Sequence, residues 1–154
     1  MIRVQEHDFD PGAELEMLTA DNHAIGGVCS FIGLVRDFAP KEQGGEDVSA
    51  MTLEHYPGMT EKQLEAIEKE AQERWPLDAT LIIHRFGRLE AGDRIVFVAA
   101  ASAHREAAFE ACHFLIDWLK TKAPFWKKES AASGDQWVEA KEADDAATAR
   151  WNKD

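Results

Sequence analysis

The chain has 154 residues and a mass of 17.2 kDa, which is typical of one globular domain spanning residues 1–154. With 17 basic against 29 acidic residues, its net charge of −12 argues against general binding to nucleic acid or to an anionic membrane surface. No apolar run is long enough to span a bilayer, and the N-terminus lacks a signal-peptide pattern.

Cys29 and Cys112 lie in apolar stretches without CxxC spacing. We therefore expect a cytoplasmic protein with two buried, reduced thiols; a disulfide or a nucleophilic cysteine is the alternative.

The first third of the chain predicts a short helix and two strands. Residues 12–20 can form the helix, and the apolar, β-branched stretch 24–38 predicts a strand that ends in a turn. Residues 40–47 are rich in Gly and charged side chains and predict a mobile loop. Residues 48–56 alternate in polarity and predict the second strand.

The clearest helix prediction covers residues 60–75. Thr60 and Gln63 have the spacing of a capping box, and the apolar residues that follow recur at 3.6-residue spacing. Pro76 then ends the helix, because proline disfavours the helical conformation of the residue before it.

The middle of the chain predicts two strands and a second long helix. Residues 79–86 and 94–101 are apolar strands, joined by a turn at 87–93. Ser102 can cap a helix that reaches about Lys122.

A short strand at 136–140 and a weakly helical, charged segment at 142–150 complete the chain, and we expect the tail after 142 to be mobile. Strands and helices do not alternate strictly. The pattern therefore predicts an α+β domain with a mixed, mostly antiparallel sheet and two main helices.

Positive charge is concentrated in one short segment of this acidic chain, residues 118–129. Lys120 and Lys122 precede Pro124, and Lys127 and Lys128 follow it. A turn at the proline could aim Lys120 and Lys127 at one spot. The alternative is a solvated basic helix end, where lysines complement the helix dipole.

Two further clusters predict anion binding. His104 and Arg105 come where a strand meets a helix, and a helix N-terminus offers free N–H groups to a phosphate. Arg36 leaves an apolar strand after Leu34 and Val35 and could reach into a pocket. An ordinary surface arginine is the alternative for both Arg36 and Arg105.

The sequence contains no motif typical of metal binding, nucleotide binding or serine hydrolases. The histidines show no metal-ligand spacing, and there is no Walker A, GxGxxG or serine-elbow pattern. We therefore expect no metal and no cofactor. His84, in an apolar strand, and His113, in a helix, are interpreted as structural residues.

Six segments in the chain resemble the large, catalytic subunit of molybdopterin synthase. They are FIGLVRD (31–37), MTLEHYPGMTEK (51–62), IHRFGRLEAGD (83–93), IVFVAAASAHREAAFEAC (95–112), WLKTKAPFWKKE (118–129) and DQWVEA (135–140). The resemblance implies an α/β-hammerhead fold of the α+β class. It also implies sulfur transfer from the C-terminal thiocarboxylate of a small ubiquitin-like partner to cyclic pyranopterin monophosphate, which forms the dithiolene of molybdopterin. The implied assembly is a heterotetramer around a central dimer of large subunits.

The resemblance also implies roles for individual residues. Lys120 matches the catalytic lysine of the family, and Lys127 matches a second functional lysine. The positions that match the substrate pocket are Leu34, Val35, Arg36, His104, Arg105, Lys128, Glu129 and, in place of an arginine from the neighbouring subunit, Lys141. Lysine keeps the charge there but loses the bidentate fork of arginine.

Phosphate and thiocarboxylate are both anions, so their reaction requires concentrated cations. We expect Lys120, Lys127, His104 and Arg105 to surround a single cavity. The sequence leaves open whether Lys120 acts as an acid or base or forms a covalent intermediate. A non-catalytic module that captures the tail of the partner, and an enzyme acting on other phosphate esters, are the competing hypotheses.

Overall fold

The computed structural model describes residues 1–36, 48–131, 133–138 and 142–152, and in these residues the chain forms two four-stranded sheets and four α-helices. The elements in chain order are β1 (Ile2–Gln5), α1 (Pro11–Thr19), β2 (Gly27–Leu34), β3 (Val48–His55), α2 (Met59–Arg74), β4 (Ala79–Arg85), β5 (Gly87–Leu89), β6 (Arg94–Ser102), α3 (Arg105–Thr121), β7 (Phe125–Ala131), β8 (Gly134–Val138), α4 (Glu142–Ala149) and a 3₁₀ turn (Arg150–Asn152). The predicted α+β class and its two main helices, α2 and α3, are confirmed. The predicted loop at 40–47 lies outside the described residues.

The first sheet has the strand order β1-β4-β6-β2 and is covered on both faces. Ile82 and Val98 pack against α2 and α3, whereas Ile83 and Phe97 belong to a cluster with Phe9 and α1 on the opposite face. Successive side chains of a strand point to opposite faces, so a strand covered on both sides must be apolar at every position. That requirement explains why β4 and β6 read as continuous apolar runs.

The second sheet has the order β5-β3-β7-β8, and all its pairs are antiparallel. Its buried core contains Val35, Met51, Leu53 and Leu89. The first sheet is antiparallel except for the β1–β4 pair. The predicted mostly antiparallel arrangement is therefore confirmed, but it is divided between two sheets.

The sequence analysis did not predict three of the strands, because each is stabilised by pairing with a strand that is distant in sequence. The four residues of β1 lie parallel to β4. Part of the predicted 87–93 turn forms β5, which pairs with β3. The charged segment after Pro124 forms β7 on the other side of β3. Strand propensity depends strongly on such context, which short windows of sequence do not contain.

The two main helices begin differently from the prediction. Gly58, not Thr60, is the N-cap of α2, and Glu61 Oε2 accepts from the Gly58 N–H at 2.6 Å. Thr60 lies inside the helix, where its hydroxyl donates to the Pro124 carbonyl at 3.4 Å. Ser102 ends β6 and donates to the Pro76 carbonyl, and His104 is the N-cap of α3.

The C-terminal segment packs on α3. Residues 142–149 are helical, as predicted, and the following Trp151 indole donates to Asp117 Oδ2 at 2.7 Å. The Trp151 ring also meets Phe114 edge-on, with centroids 5.5 Å apart. This end of the chain therefore covers the helix that carries Lys120.

Candidate functional site

A cavity of about 280 Å³ lies where the C-terminal end of α3 meets β7 and the edge of the first sheet. Lys120 from α3 and Lys127 from β7 both line it. The remaining lining is apolar except for His84 and consists of Phe31, Leu53, Ile95, Val96, Ile116, Leu119, Ala123 and Phe125. One chain thus brings together the two lysines that the sequence singles out. Apolar walls strengthen their attraction for an anion, because charges interact more strongly away from water.

The connection between the two lysines is short and anchored. Helix α3 ends at Thr121, and Pro124 prevents its continuation. The Phe125 N–H donates to the Ala123 carbonyl at 2.8 Å, which tightens the turn. The Thr60 hydroxyl donates to the Pro124 carbonyl, so α2 also holds the turn. These contacts fix the start of β7 and therefore the position of Lys127 relative to Lys120.

The alternation of β7 separates its two lysines. Lys127 Nζ lies 3.4 Å from Glu129 Oε1, two positions along the same face. Lys128 faces the other way: its Nζ lies 2.9 Å from Glu54 Oε1 and 4.3 Å from the centroid of Trp137. Lys128 is not among the residues that line the cavity. Glu129 stands next to the lysine pair, whereas Lys128 occupies the opposite face of the sheet.

His104 and Arg105 lie at the far end of α3. At 1.5 Å per residue, Arg105 and Lys120 are about 22 Å apart along the helix axis. The start of β2 lies beside them: the Gly26 N–H donates to the Ser102 carbonyl at 3.0 Å. The expectation that all four cationic residues surround one cavity is therefore wrong for a single chain, because a continuous helix holds the two pairs apart.

The three residues at the end of β2 diverge. Val35 is buried in the core of the second sheet, and its N–H donates to the Asp93 carbonyl at 2.8 Å. Leu34 is 55% exposed and lines a separate, open cavity of about 490 Å³ with Arg94. Arg36 is exposed at the last residue before the undescribed segment. Lys141 lies outside the described residues.

Sequence reasoning missed His84 as a member of the lysine cavity. Its ring stacks on Phe125 with centroids 3.7 Å apart and planes inclined by 16°. The pKa of His84 is lowered to about 4, mainly by burial; the hydrogen bond with the Arg85 carbonyl partly opposes this shift, and the nearby His55 adds to it. His84 is therefore neutral at physiological pH. The available signal was a single histidine in an otherwise apolar run of a central strand.

The cysteines do not line the lysine cavity. Cys112 is buried in α3, and Cys29 is partly buried in β2. Burial, and then the neighbouring Cys29, raises the pKa of the Cys112 thiol, which disfavours the nucleophilic thiolate. The predicted burial holds for Cys112 but not fully for Cys29, and the reduced state of both thiols stays a prediction.

The described residues contain neither a candidate metal-ion cluster nor a membrane-spanning helix. Across residues 1–36, 48–131, 133–138 and 142–152, no three His, Cys, Asp or Glu side chains are grouped so as to hold a metal ion. No helix in those ranges has the length and apolar character needed to cross a membrane.

Comparison with known proteins gives concordant results. Residues 4–122 match the family model described as "MoaE protein". The chain is 57% identical to the molybdopterin synthase catalytic subunit of Pseudomonas aeruginosa, and the match covers 99% of each chain. Its fold is similar to that of the molybdopterin biosynthesis MoaE protein from Burkholderia ambifaria, with a TM-score of 0.84 and 51% identity over 100% of this chain and 99% of that one.

A more distant structure shares the fold. It is a protein–protein complex of subunits 1 and 2 of the molybdopterin-converting factor from Helicobacter pylori. The likeness has a TM-score of 0.70 at 21% identity and covers 92% of this chain and 90% of that one.

Proposed function

The chain belongs to the MoaE family of molybdopterin synthase catalytic subunits, and we propose that it is the sulfurtransferase subunit of that enzyme. In this role it takes sulfur from the C-terminal thiocarboxylate of a small ubiquitin-like partner. It transfers that sulfur to cyclic pyranopterin monophosphate, and two transfers form the dithiolene of molybdopterin. Its similarity to biosynthetic subunits supports our further proposal of a cytoplasmic location.

The observation that carries the proposal is the convergence of Lys120 and Lys127 on one apolar-walled cavity. A thiocarboxylate is an anion, and attack on its carbonyl or on a substrate carbon develops further negative charge on oxygen. Two ammonium groups fixed beforehand stabilise that charge without reorganising water. We assign Lys120 the catalytic role and Lys127 the binding of the tail and the developing oxyanion, with Glu129 orienting Lys127.

The phosphate of the substrate needs its own cations, and His104 and Arg105 are the candidates. They stand at the N-terminus of α3, where free N–H groups and the helix dipole favour an anion. Because they lie about 22 Å from Lys120 within one chain, we propose that they serve the cavity of a second copy in the central dimer.

The edge strand β2 offers the surface for such a dimer. It is the last strand of the first sheet, and Val28, Phe31, Ile32 and Leu34 are exposed along it. An uncovered apolar edge strand is a liability unless another chain covers it. Gly27, at one end of β2, lies beside Arg105, whereas Phe31, just past the middle of the strand, lines the Lys120 cavity.

If a two-fold axis passes through the middle of β2, the β2 strands of the two copies pair antiparallel to each other. The eight residues of β2 span about 24 Å, close to the separation of Arg105 from Lys120. Such pairing places the Gly27 end of one copy, and with it Arg105, beside Leu34 of the other copy, three residues beyond the Phe31 that lines its Lys120 cavity. The dimer would thus bring together the cations that one chain keeps apart.

The remaining substrate-pocket positions stay within this proposal. Arg36 and Leu34 lie at the end of β2, near the expected dimer contact, and Val35 holds that end in the core. Lys141 and Lys128 are proposed as further cations for substrate. We further propose that a small subunit at each end of the dimer completes a heterotetramer.

The decisive experiment is a product assay by mass spectrometry. Purified chain is mixed with thiocarboxylated small subunit and cyclic pyranopterin monophosphate, and the dithiolene product is measured. Formation of product supports the enzyme. Tight binding of the small subunit without product would indicate a capture module instead. Turnover of simple phosphate esters without the small subunit would indicate a phosphate-ester enzyme.

A further inference from the structure

His84 occupies the lysine cavity without a role in the chemistry described so far. It lies in β4, whose neighbours β1 and β6 flank it in the first sheet, and its side chain reaches toward the second sheet. There its ring stacks on Phe125, the first residue of β7. A stacked ring held between two sheets has little rotational freedom, so the direction of its nitrogen atoms is fixed.

The hydrogen bond of His84 determines which nitrogen carries the proton. Nδ1 lies 2.8 Å from the Arg85 carbonyl oxygen. A carbonyl can only accept, so Nδ1 carries the hydrogen and donates it. The ring is neutral at pH 7, because burial depresses its pKa to about 4. Nε2 therefore carries a lone pair and can only accept a hydrogen bond.

That lone pair is the hydrogen-bond acceptor that His84 can offer to the cavity it lines. Within the part of the chain that the structure describes, Nε2 has no hydrogen-bond partner. Lys120 and Lys127 can only donate, and every other lining side chain is apolar. His84 is thus the one lining side chain among the described residues that can accept. A ligand that fills this cavity must match two cationic donors and one neutral acceptor.

The tail of the partner has this pattern of charge and hydrogen-bonding groups. Its terminal anion suits the two ammonium groups, and the amide nitrogen of the same glycine is only two covalent bonds from the carbonyl carbon. That N–H loses its water when the tail enters the cavity, and a buried donor needs an acceptor. The cavity volume, about 280 Å³, is slightly below the usual range for small-molecule sites and suits a slender glycine tail.

We propose that Nε2 of His84 accepts a hydrogen bond from the backbone N–H of the C-terminal glycine of the small partner subunit, an inference that rests on the proposed function. His84 is then a positioning residue for sulfur transfer. Together with the lysines it holds the last residue at two points, which fixes the rotation of the thiocarboxylate toward Lys120. It also makes the site selective for a terminal residue with an amide hydrogen.

The test removes the donor and the acceptor separately. The small subunit is made by protein ligation with either its native C-terminal glycine or glycolic acid, which replaces the N–H by an ester oxygen. Binding of both carboxylate forms is measured with wild type and with His84→Phe, which keeps a ring on Phe125 but has no acceptor. We expect the ester to weaken binding to wild type about tenfold and to His84→Phe less than twofold.

An equal loss in both proteins would overturn the proposal, because the effect of the ester would not depend on His84. A second measurement covers the case in which His84→Phe does not fold. In wild type labelled with ¹⁵N-histidine, the resonance of unprotonated Nε2 should shift upfield with the native tail and not with the ester tail. An unchanged resonance with the native tail bound would overturn the proposal.

These outcomes are separate from the proposed function. Wild type that forms no product from native thiocarboxylated partner and cyclic pyranopterin monophosphate would contradict the sulfurtransferase assignment. Product formation together with an ester effect that does not depend on His84 would contradict only the role of His84.

Discussion

Arg105 and Lys120 stand at opposite ends of one helix, about 22 Å apart along its axis. The helix therefore holds apart two sets of cations that the proposed reaction needs together. Lys120 and Lys127 line the same cavity. Arg105 lies next to His104 and beside Gly27 at the start of β2. If the reaction joins a phosphate-bearing substrate to an anionic tail, the active site is completed between two copies of the chain.

Replacement of Lys120 by alanine should lower product formation at least about a hundredfold, as expected for loss of a group that stabilises developing charge. The fold should change little, because Lys120 forms no ion pair among the described residues. The small subunit should still bind, although less tightly, because Lys127 still lines the cavity that receives its tail. Lys122→Ala is the matched control: it lies two residues away, and its Nζ stacks on Trp118 at 4.0 Å from the ring centroid. Near-normal turnover by Lys120→Ala would refute its catalytic role.

The two adjacent lysines of β7 should respond differently to substitution. Lys127 lines the cavity, so Lys127→Ala should raise the KM for thiocarboxylated partner about tenfold or more. Lys128 is held by Glu54 on the opposite face, so Lys128→Ala should change KM less than twofold and stability by about 0–1 kcal/mol. Steady-state kinetics at several partner concentrations measure both. A tenfold rise in the KM for the partner in Lys128→Ala would contradict this difference. The proposed role of Lys128 in substrate binding should appear instead as a higher KM for cyclic pyranopterin monophosphate.

Complementation between inactive variants should reveal a site shared by two chains. Lys120→Ala and Arg105→Ala are co-expressed with different affinity tags, and the mixed dimer is purified. If Arg105 serves the cavity of the other copy, the mixed dimer has one intact site and one doubly damaged site. It should recover about half of wild-type turnover, whereas each homodimer stays impaired. A mixed dimer no more active than the homodimers would contradict the proposal that Arg105 serves the cavity of the other copy.

The approach of Gly26 to Ala103 should make this glycine intolerant of substitution. A Cβ at Gly26 would lie 2.1 Å from the Ala103 carbonyl oxygen, so backbone must shift. We expect Gly26→Ala to cost about 1–3 kcal/mol of unfolding free energy and to disturb His104 and Arg105. At Gly27 the added Cβ would be 3.8 Å from the nearest atom, the Cα of Arg105, so Gly27→Ala is the matched control. Equal thermal stability of the two variants would contradict this prediction.

The burial of neutral His84 should make the fold less stable in mild acid. Its pKa is about 4 in the folded chain against 6.5 in the reference state, so the unfolded chain binds the proton first. The free energy of unfolding should therefore fall as the pH drops from about 6.5 toward 4, by about 2 kcal/mol between pH 7 and pH 5. Urea unfolding of wild type and His84→Phe at both pH values measures this. The variant should lack that part of the decrease; parallel decreases in both proteins would contradict the assignment.

Much of the fold was predictable because it depends on neighbours in sequence. The apolar spacing in α2 and α3, the proline after each helix, and the continuous apolar runs of β4 and β6 are local signals. By contrast, β1, β5 and β7 exist because a distant strand pairs with them. No window of sequence around β7 contains β3, so the local pattern indicated only a charged turn.

The features of the candidate site likewise fall into those that local sequence predicts and those that depend on contacts between distant segments. The sequence alone determined that this acidic chain concentrates lysines around Pro124 and that Lys120 and Lys127 could meet, since a proline turn joins the segments that carry them. The predicted helix from Ser102 to about Lys122 already separated Arg105 from Lys120 by a helix length, because helix geometry is local. Only the tertiary structure decided that Lys128 faces away and that His84 enters the cavity. Those two facts depend on strand register and on the contact of two sheets, which arise between residues far apart in sequence.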